Sequence, residues 1–362
     1  MNLKPLYITV PFESKDGIFQ PGIEAPGRTK PDWCIADKFF KENPTINWVS
    51  SAAEKKRVFW LQAGEQSKCL TQVEQVLKWL VKNGAHRGQS IAVVGGGTVL
   101  DIGLFAASIY QRGLYKWSLP TTLLACVDAG IGGKNGINFM GLKNYIGTIT
   151  QPNIVVSDYR VLETLKPLDV LSGWMEMTKH GLIGNSNLWL KMKRFETIPK
   201  PGLIHKLIEE AAAVKQRLVE ADEQESGPRK ILNFGHTIGH ALESAAAEQK
   251  KELPHGIAVG LGMLVSLHWS ASRSDNQILQ NEMIEAAEII KRWLILEASN
   301  QVMSTVESAN LNTLWAIMKM DKKNNTQHVR EVALTEIGHA VWNQPLSFEE
   351  FKTCWFGAHS EH

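Results

Sequence analysis

The spacing of hydrophobic residues changes along the chain, and the change predicts two structural classes within one sequence. Before about residue 160, short runs rich in β-branched residues alternate with runs of helical periodicity. These runs are Val58–Leu61, Leu70–Lys82, Ile91–Val94, a helical stretch after Gly97, and Trp117–Pro120. Because strands that alternate with helices form parallel sheets, the pattern predicts an α/β domain over residues 1–163.

From about residue 165 onward, β-branched runs become rare and helical periodicity dominates. The helical runs are Val170–Gly184, Leu203–Glu220, Ile231–Ala246, Ile257–Ser270, Gln280–Leu294 and Leu311–Met320. A short strand-like run, Glu331–Leu334, follows them. The pattern predicts an all-α C-terminal domain over residues 164–362.

Composition limits which binding partners and which cellular compartment are expected for the protein. The 39 Lys and Arg residues nearly balance the 37 Asp and Glu residues, so the formal net charge of +2 argues against nucleic acid and membrane partners. The four cysteines lie far apart in the sequence, which is typical of reduced thiols. No stretch resembles a signal peptide or reaches the ~18 uninterrupted apolar residues of a membrane helix. We therefore expect a soluble cytoplasmic protein without disulfides.

The segment from Ile91 to Asp101, IAVVGGGTVLD, is an apolar strand followed by three glycines and a helix. Glycines allow main-chain N–H groups to approach a diphosphate, and a helix N-terminus favours negative charge. The segment is not G-x-G-x-x-G, and three glycines after a strand also suit a tight turn without a ligand. The segment alone does not separate these two interpretations.

A second segment places basic residues among glycines. Asp128-Ala-Gly-Ile-Gly-Gly-Lys134-Asn-Gly-Ile-Asn138 is followed by Gly141-Leu-Lys143-Asn144. Two lysines in a glycine-rich loop can hold an anionic substrate, and irregular loops on a rigid scaffold often carry sites. The alternative is a solvated basic loop without a ligand.

A third group combines histidines with a carboxylate. His236 and His240 are four residues apart and share one helical face, His255 follows, and Glu176 lies upstream. A single helical histidine is more often a core or surface residue than a ligand. Two histidines and one carboxylate nevertheless suit a catalytic zinc that keeps an open coordination position. The spacing leaves open whether His236 or His240 is the ligand.

Taken together, these motifs resemble the dehydroquinate synthase family of sugar phosphate cyclases in their order and approximate spacing. The matching segments, over about residues 60–330, are GGGTVLD, Tyr110-Gln-Arg112-Gly, PTTLLACVD, GGKNGIN, GLKN, Gln151-Pro, Glu176-x-x-Lys179-x-Gly, RKILNFGHTIGHALE and HGIAVGLGM. The resemblance implies a Rossmann-like NAD-binding domain followed by a helical metal-binding domain. It also implies a homodimer.

The resemblance further implies a set of site residues. The implied zinc ligands, with Co²⁺ as an alternative metal, are Glu176, His236 and His255. The implied catalytic residues are Asp128, Lys134, Lys179 and His240. The implied substrate-binding residues are Arg112, which would reach across the dimer interface, Lys143, Asn144, Lys215, Arg229, Asn233, and one of Lys322 and Lys323. The implied NAD-binding residues are Asp37, Glu65, Lys68, Gly96, Gly97, Thr98, Asp101, Thr121, Thr122, Leu162 and Thr164.

The implied activity is the conversion of 3-deoxy-arabino-heptulosonate 7-phosphate to 3-dehydroquinate and phosphate, a step of the shikimate pathway that leads to aromatic amino acids. NAD would first oxidise a ring hydroxyl, phosphate would leave by β-elimination, and NADH would then reduce the ketone again. The enzyme would therefore be a carbon–oxygen lyase without net redox change.

Two positions depart from the family pattern. Leu100 stands where the cofactor turn usually carries glycine, and Ile257 stands where a glutamate usually follows His255-Gly. The second departure removes a carboxylate beside an expected zinc ligand, and such groups tune the affinity of the metal.

Three alternatives follow from the family and its architecture. The first is a related cyclase acting on glucose 6-phosphate or sedoheptulose 7-phosphate, against which Asn233 and Arg229 argue. The second is a metal-dependent alcohol dehydrogenase that releases NADH, against which the two lysine-bearing loops argue. The third is a non-catalytic relative that keeps the fold.

Overall fold

The computed structural model describes residues 5–10, 30–298, 309–320 and 329–359. These residues form two compact units. The first, here called the α/β unit, consists of Met1–Leu165 with Pro201–His205, and the second, called the helical unit, consists of Lys166–Lys200 with Lys206–His362. Lys322 and Lys323, expected to bind substrate, lie outside the described residues.

The α/β unit contains the expected parallel sheet. Its six described strands are β1 Leu6–Val10, β2 Trp33–Asp37, β3 Val58–Leu61, β4 Ser90–Gly95, β5 Tyr115–Pro120 and β8 Ile154–Asp158, in the order β1-β8-β5-β4-β2-β3. Every neighbouring pair is parallel. All six residues of β4 are buried, as in parallel sheets covered on both faces. The predicted N-terminal α/β class is thereby confirmed.

The described helices of this unit connect the strands. They are α1 Phe39–Glu42, α2 Asn47–Glu54, α3 Leu70–Lys82 and α4 Gly97–Ile109. Strand β4 ends at Gly95 and α4 begins at Gly97, so the predicted order of strand, glycines and helix is present, and eight residues of α4 are buried. The strand-to-helix turn is therefore held firmly against the core.

The lysine-bearing segments form a β-hairpin, so the prediction of an irregular loop was wrong. Strand β6, Lys134–Phe139, pairs antiparallel with β7, Leu142–Ile149. Met140 and Gly141, with φ of 50° and 79°, make the two-residue turn. The strands contain glycines where backbones approach closely, since a Cβ on Gly147 would lie 2.2 Å from the Asn135 carbonyl oxygen. Glycine-rich strands lack the β-branched pattern on which the prediction relied.

The helical unit is mainly, but not entirely, helical. Its described helices are α5 Pro167–Gly184, α6 Ser186–Met192, α7 His205–Ala221, α8 His236–Glu248, α9 His255–Ser272, α10 Gln277–Glu297, α11 Leu311–Met320 and α12 Phe348–His359. The all-α expectation did not include the hairpin of β9 Val329–Glu336 and β10 His339–Leu346. Strand β9 contains the strand-like run Glu331–Leu334 that the sequence indicated. None of the described helices is long and apolar enough to cross a membrane.

The predicted helix Ile231–Ala246 is interrupted. Residues Pro228–Asn233 form a 3₁₀ turn, and Gly235 adopts φ of 74°, so that α8 begins only at His236. A left-handed residue ends one helical path and starts another, which hydrophobic periodicity does not report.

Helices α8 and α9 pack closely because glycines face backbone atoms between them. A Cβ on Gly262 would lie 2.0 Å from the Gly235 carbonyl oxygen, and one on Gly239 would lie 2.9 Å from the Ala258 carbonyl oxygen. Side chains at these positions would force the helices apart. The glycines therefore set how closely the helix that starts with His255 approaches the helix that starts with His236.

We expect Gly262→Ala to lower the melting temperature. Helix propensity alone would favour alanine by about 1 kcal/mol. The clash with a backbone oxygen should outweigh this gain, since overpacking costs about 1–3 kcal/mol, which corresponds to several degrees in a domain of this size. The matched control is Gly357→Ala in α12, at an exposed position where the three nearest atoms to a Cβ all belong to the His268 side chain. A melting temperature of Gly262→Ala at or above the wild-type value would refute the close-packing argument.

One buried carboxylate ties the hairpin to α9. Glu331 of β9 is 2% exposed, and its Oε1 atom accepts a 3.2 Å hydrogen bond from Ser266. Burial raises the pKa of Glu331 to about 7, although hydrogen bonds from the Thr237 side chain and the main-chain N–H groups of Val332 and Gly235 act in the opposite direction. A raised pKa in the folded protein means that folding favours the protonated acid.

Glu331 should therefore make stability depend on pH. Its contribution is fully present below the ordinary value of 4.5 and is lost as pH rises through about 7. At about 1.4 kcal/mol per pKa unit, the full loss is roughly 3 kcal/mol. Thermal scans of wild type and of the uncharged Glu331→Gln variant at pH 5 and pH 8 measure this loss. The melting temperature of the variant minus that of wild type should be higher at pH 8 than at pH 5. A difference that does not change with pH would contradict this expectation.

Candidate functional site

Glu176 lies at the buried centre of the histidine cluster in the helical unit. It belongs to α5, and its side chain is 0% exposed. Lys179, one turn later on the same helix and 1% exposed, forms an ion pair with the Oε2 atom of Glu176. The Oε1 atom is buried and accepts no hydrogen bond from the described part of the chain. A buried carboxylate oxygen in this state is costly unless a cation or a donor completes its environment.

His236, the first residue of α8, directs one ring nitrogen to this oxygen. Its Nδ1 atom lies 3.2 Å from the Phe234 carbonyl oxygen, and its Nε2 atom lies 3.7 Å from Glu176 Oε1. A carbonyl oxygen only accepts hydrogen bonds, so the contact favours the tautomer with the proton on Nδ1. In that tautomer Nε2 keeps a lone pair with which it can bind a metal ion beside Glu176 Oε1.

His255, the first residue of α9, repeats the arrangement from the other side. Its Nε2 atom lies 3.7 Å from Glu176 Oε1, and its Nδ1 atom lies 3.4 Å from Glu243 Oε1. Of the two carboxylates that face this ring, Glu243 is the nearer, so in the neutral ring the proton is again expected on Nδ1. Two imidazole lone pairs and one carboxylate oxygen therefore converge.

His240 belongs to the same cluster. Its ring centroid lies 5.4 Å from that of His236 and 5.8 Å from that of His255. One nitrogen from each of the three rings can be chosen so that all lie within 4.8 Å of one another. The three histidines lie together, as expected. Their distances are also compatible with His240 as a metal ligand.

The donor atoms fit a zinc ion. Zinc prefers imidazole nitrogen and carboxylate oxygen, and two ligand atoms at ~2.0–2.1 Å from a tetrahedral ion are ~3.4 Å apart. The two 3.7 Å separations are close to this value. A cation among these atoms would be bound by the two Nε2 lone pairs and by the charge of the Glu176 carboxylate.

The polar segment that precedes α8 is organised by Asp222. Its carboxylate accepts hydrogen bonds from the N–H groups of Ser226, Gly227 and Arg229. Burial acts to raise the pKa of Asp222, but these hydrogen bonds together hold it below its ordinary value. The Arg229 side chain, 2% exposed, donates to the Glu223 carbonyl oxygen at 2.7 Å. This expected substrate-binding residue is thus held by local main-chain geometry.

Asn233 is oriented by a glutamate that the sequence interpretation did not include. Its Nδ2 atom donates to Glu225 Oε1 at 3.0 Å and to the Lys230 carbonyl oxygen at 3.1 Å. Glu225 has φ of 57°. These two bonds from Nδ2 fix the orientation of the Asn233 amide. Lys215, also expected to bind substrate, is buried in α7.

In the α/β unit, the glycines after β4 have a packing reason. A Cβ on Gly96 would lie 2.8 Å from Thr122 Cγ2, and one on Gly97 would lie 3.2 Å from Ala129 Cβ. Leu100 in the same turn of α4 is 1% exposed. The leucine that departs from the family pattern is therefore accommodated in the core.

Several expected NAD-binding residues are joined in one polar network. Lys68, 6% exposed, forms a 2.7 Å ion pair with Asp101 and donates to Asn144 Oδ1 at 2.5 Å. Asn138 donates to Glu65 Oε1 at 2.7 Å, and its own Oδ1 accepts from the Asn144 main-chain N–H. The structure thus brings Asn144, expected to bind substrate, next to residues expected to bind NAD.

The other expected residues of this unit follow strand or helix ends. Asp37 ends β2, and burial raises its pKa although the Phe39 N–H group acts in the opposite direction. Leu162 and Thr164 lie in the 3₁₀ segment after β8. Arg112, with φ of 68°, lies in the turn after α4.

Lys134 and Lys143 lie in the hairpin described above, and Asp128 lies in a π-helical turn after β5. Asp128 is therefore part of regular backbone between β5 and β6. The sequence interpretation omitted Asp222, Glu225 and Glu243. Only Glu243 carried a signal, since it lies seven residues after His236 and three after His240 and so shares their helical face.

Family models match most of the chain. The model described as 3-dehydroquinate synthase N-terminal matches residues 58–172, and the one described as 3-dehydroquinate synthase C-terminal matches residues 173–324. The 3-dehydroquinate synthase of Parabacteroides distasonis is 34% identical over 300 residues, covering 83% of this chain and 82% of that protein. That of Pelagibacter ubique is 36% identical over 321 residues, covering 87% and 85%.

Solved structures share the fold. A 2-epi-5-epi-valiolone synthase from Streptomyces hygroscopicus, with NAD⁺ and Zn²⁺ bound, superposes with a TM-score of 0.78 at 20% identity, covering 99% of this chain and 97% of that one. A 2-deoxy-scyllo-inosose synthase complexed with carbaglucose-6-phosphate, NAD⁺ and Co²⁺ superposes with a TM-score of 0.72 at 24% identity, covering 89% of each chain. With both family models and relatives above 30% identity spanning most of its length, the chain belongs to the 3-dehydroquinate synthase family.

Proposed function

We propose that the protein is an NAD- and zinc-dependent 3-dehydroquinate synthase, which converts 3-deoxy-arabino-heptulosonate 7-phosphate to 3-dehydroquinate and phosphate. The observation that carries the proposal is the convergence of His236 Nε2 and His255 Nε2 on Glu176 Oε1 in a chain of this family. The activity would serve the shikimate pathway of aromatic amino acid biosynthesis.

Glu176, His236 and His255 are the proposed metal ligands. The support is that both rings have a hydrogen-bond acceptor beside Nδ1. With the proton held there, each Nε2 atom, which faces the carboxylate oxygen, can donate its electron pair to a metal ion. His240 then remains as a hydrogen-bonding group that moves protons beside the metal. Lys179 partly neutralises the second carboxylate oxygen of Glu176 and holds its orientation. Zinc suits these donors best, and Co²⁺ can replace it.

The proposed NAD site lies at the carboxyl ends of the parallel strands. The segments that follow these ends carry the expected residues: Asp37 after β2, Glu65 and Lys68 after β3, Gly96, Gly97, Thr98 and Asp101 after β4, Thr121 and Thr122 after β5, and Leu162 and Thr164 after β8. Ligands of open parallel sheets bind outside this edge, and the N-terminus of α4 there favours a diphosphate. The topology thus supports the residue set that the family resemblance implies.

The anionic groups of the substrate need cationic and amide partners. We assign Lys134, Lys143, Asn144, Lys215, Arg229 and Asn233 to its phosphate, carboxylate and hydroxyl groups. When bound, zinc supplies a Lewis acid that polarises the reacting oxygen, and NAD supplies a reversible hydride acceptor. Arg229 holds an anion with a planar fork, Asn233 accepts from a hydroxyl through Oδ1, and Asp128 orients a hydroxyl of the substrate.

A homodimer is part of the proposal. The β6–β7 hairpin exposes large apolar side chains, namely Phe139, Met140, Leu142, Tyr145 and Ile149. Ser108 Oγ at the end of α4 lies 3.0 Å from Thr148 Oγ1 of β7, so the turn that carries Arg112 is close to this hairpin. An exposed apolar surface next to Arg112 supports a subunit interface through which this arginine reaches the partner's substrate. The cytoplasmic location stays a prediction from cysteine usage.

Purified protein with NAD and Zn²⁺ should release phosphate from 3-deoxy-arabino-heptulosonate 7-phosphate and form 3-dehydroquinate in equal amount. Absorbance at the NADH band should show no net accumulation, because the hydride returns to the product. The same assay with glucose 6-phosphate and sedoheptulose 7-phosphate is the control for the branch of the family. Turnover of either control alone would move the protein to that branch, and steady NADH formation from a simple alcohol would favour the dehydrogenase alternative.

His255→Ala and His240→Ala should separate ligand from proton-transfer roles. We expect His255→Ala to lose stoichiometric zinc, because one of three donors is gone. His240→Ala should keep its zinc while turnover falls by about 10²–10⁴-fold, the usual contribution of general acid–base catalysis. Metal content by atomic emission and turnover by phosphate release measure both. Stoichiometric zinc in His255→Ala, or loss of zinc from His240→Ala, would contradict the proposed ligand set.

A further inference from the structure

The orientation of His255 depends on a side chain that is remote in sequence. Its Nδ1 atom lies 3.4 Å from Oε1 of Glu243 in α8, and the Glu243 side chain is only 10% exposed. An imidazole has two nitrogens, and only the one without a proton can donate to a metal. An acceptor beside Nδ1 selects the tautomer in which Nε2 is that donor.

His236 achieves the same result by different means. The acceptor beside its Nδ1 atom is the Phe234 carbonyl oxygen, two residues earlier in the chain. That group belongs to the main chain and is present whatever side chains surround it. The acceptor beside Nδ1 of His255, in contrast, is a side-chain carboxylate from another helix, so its removal should affect His255 while leaving His236 in place.

The spacing on α8 explains why one helix serves both histidines. Residues 236, 240 and 243 follow one another at intervals of four and three, which places them on one helical face. The first turn of α8 thus provides His236, and its second turn provides the carboxylate that contacts His255 of α9. Close packing of α8 on α9 through Gly239 brings the two helices near enough for this contact.

Position 257 cannot supply the carboxylate. The residue two places after His255 is Ile257, which is 0% exposed and has an apolar side chain. Glu243 Oε1, at 3.4 Å, places a carboxylate beside His255 Nδ1. The departure from the family pattern at position 257 therefore does not leave this ring without an anionic partner.

We propose that Glu243 is a positioning residue that holds His255 with its proton on Nδ1, so that Nε2 binds the metal. The inference deepens the proposed function, on which it rests for the identity of the ion. In this role Glu243 acts through its contact with His255. Its charge also stabilises the positive charge that the ring acquires when its nitrogen donates to a cation.

The test compares Glu243→Gln and Glu243→Ala with Glu248→Gln, an exposed carboxylate on the same helix. Competition with a chromophoric chelator measures the affinity for Zn²⁺. Loss of such a supporting group typically weakens metal binding by about 10–100-fold, which we expect for Glu243→Ala. Glu243→Gln keeps an oxygen acceptor without the charge and should lose less, and Glu248→Gln should bind as wild type does. Equal affinity in all four proteins would overturn the proposal.

A second readout follows the ring itself. In metal-free protein with ¹⁵N-labelled histidine, at a pH at which the ring is neutral, long-range nitrogen–proton spectra should show wild-type His255 with its proton on Nδ1, beside the nearer carboxylate. The Glu243→Ala spectrum should shift toward the Nε2-protonated form, while His236 stays unchanged because its acceptor is a main-chain carbonyl. Melting temperatures of the metal-free variants check that the fold is kept. An unchanged His255 tautomer in a folded Glu243→Ala protein would refute the positioning role.

The two proposals fail in different ways. If the wild type binds no zinc, the metal assignment in the proposed function is wrong and the role of Glu243 falls with it. If the wild type binds zinc, His255→Ala loses it and Glu243→Ala keeps wild-type affinity, only the present inference is wrong.

Discussion

The buried carboxylate of Glu176 is the constraint on which the helical unit depends. An anion that is 0% exposed is unfavourable in a protein interior unless positive charge surrounds it. Lys179 provides this charge at Oε2, and the two histidines direct their Nε2 atoms to Oε1. Helix α5 carries this carboxylate, and the first residues of α8 and α9 place two imidazole rings beside it.

Main-chain geometry prepares the donors before any ligand arrives. Gly235 adopts a left-handed conformation that only glycine adopts easily, and α8 therefore begins at His236 with the Phe234 carbonyl beside its ring. Glycines at 239 and 262 allow α9 to approach α8 without intervening side chains. The packing of these two helices thereby sets where each imidazole lies.

The α/β unit follows a different logic, in which topology places the residues. Parallel strands end at one edge of the sheet, so short segments after β2, β3, β4, β5 and β8 meet there although they are far apart in sequence. The network of Lys68, Asp101 and Asn144 shows how tightly such segments interlock. A lysine that is nearly buried and paired with an aspartate is held in place at this edge, where a flexible surface lysine would be free to move.

The sequence by itself determined the α/β class and most helices, and it singled out three histidines and one carboxylate as candidate ligands, because periodicity and donor chemistry are local properties. Which of His236 and His240 binds a metal was left open by their spacing. Tertiary structure alone decided that Lys134 and Lys143 lie in a hairpin, since glycine-rich strands carry no periodic signal. It also decided which ring nitrogens face Glu176, and that Glu243 contacts His255. Such contacts join helices separated by loops, and no local pattern encodes the distance between their atoms.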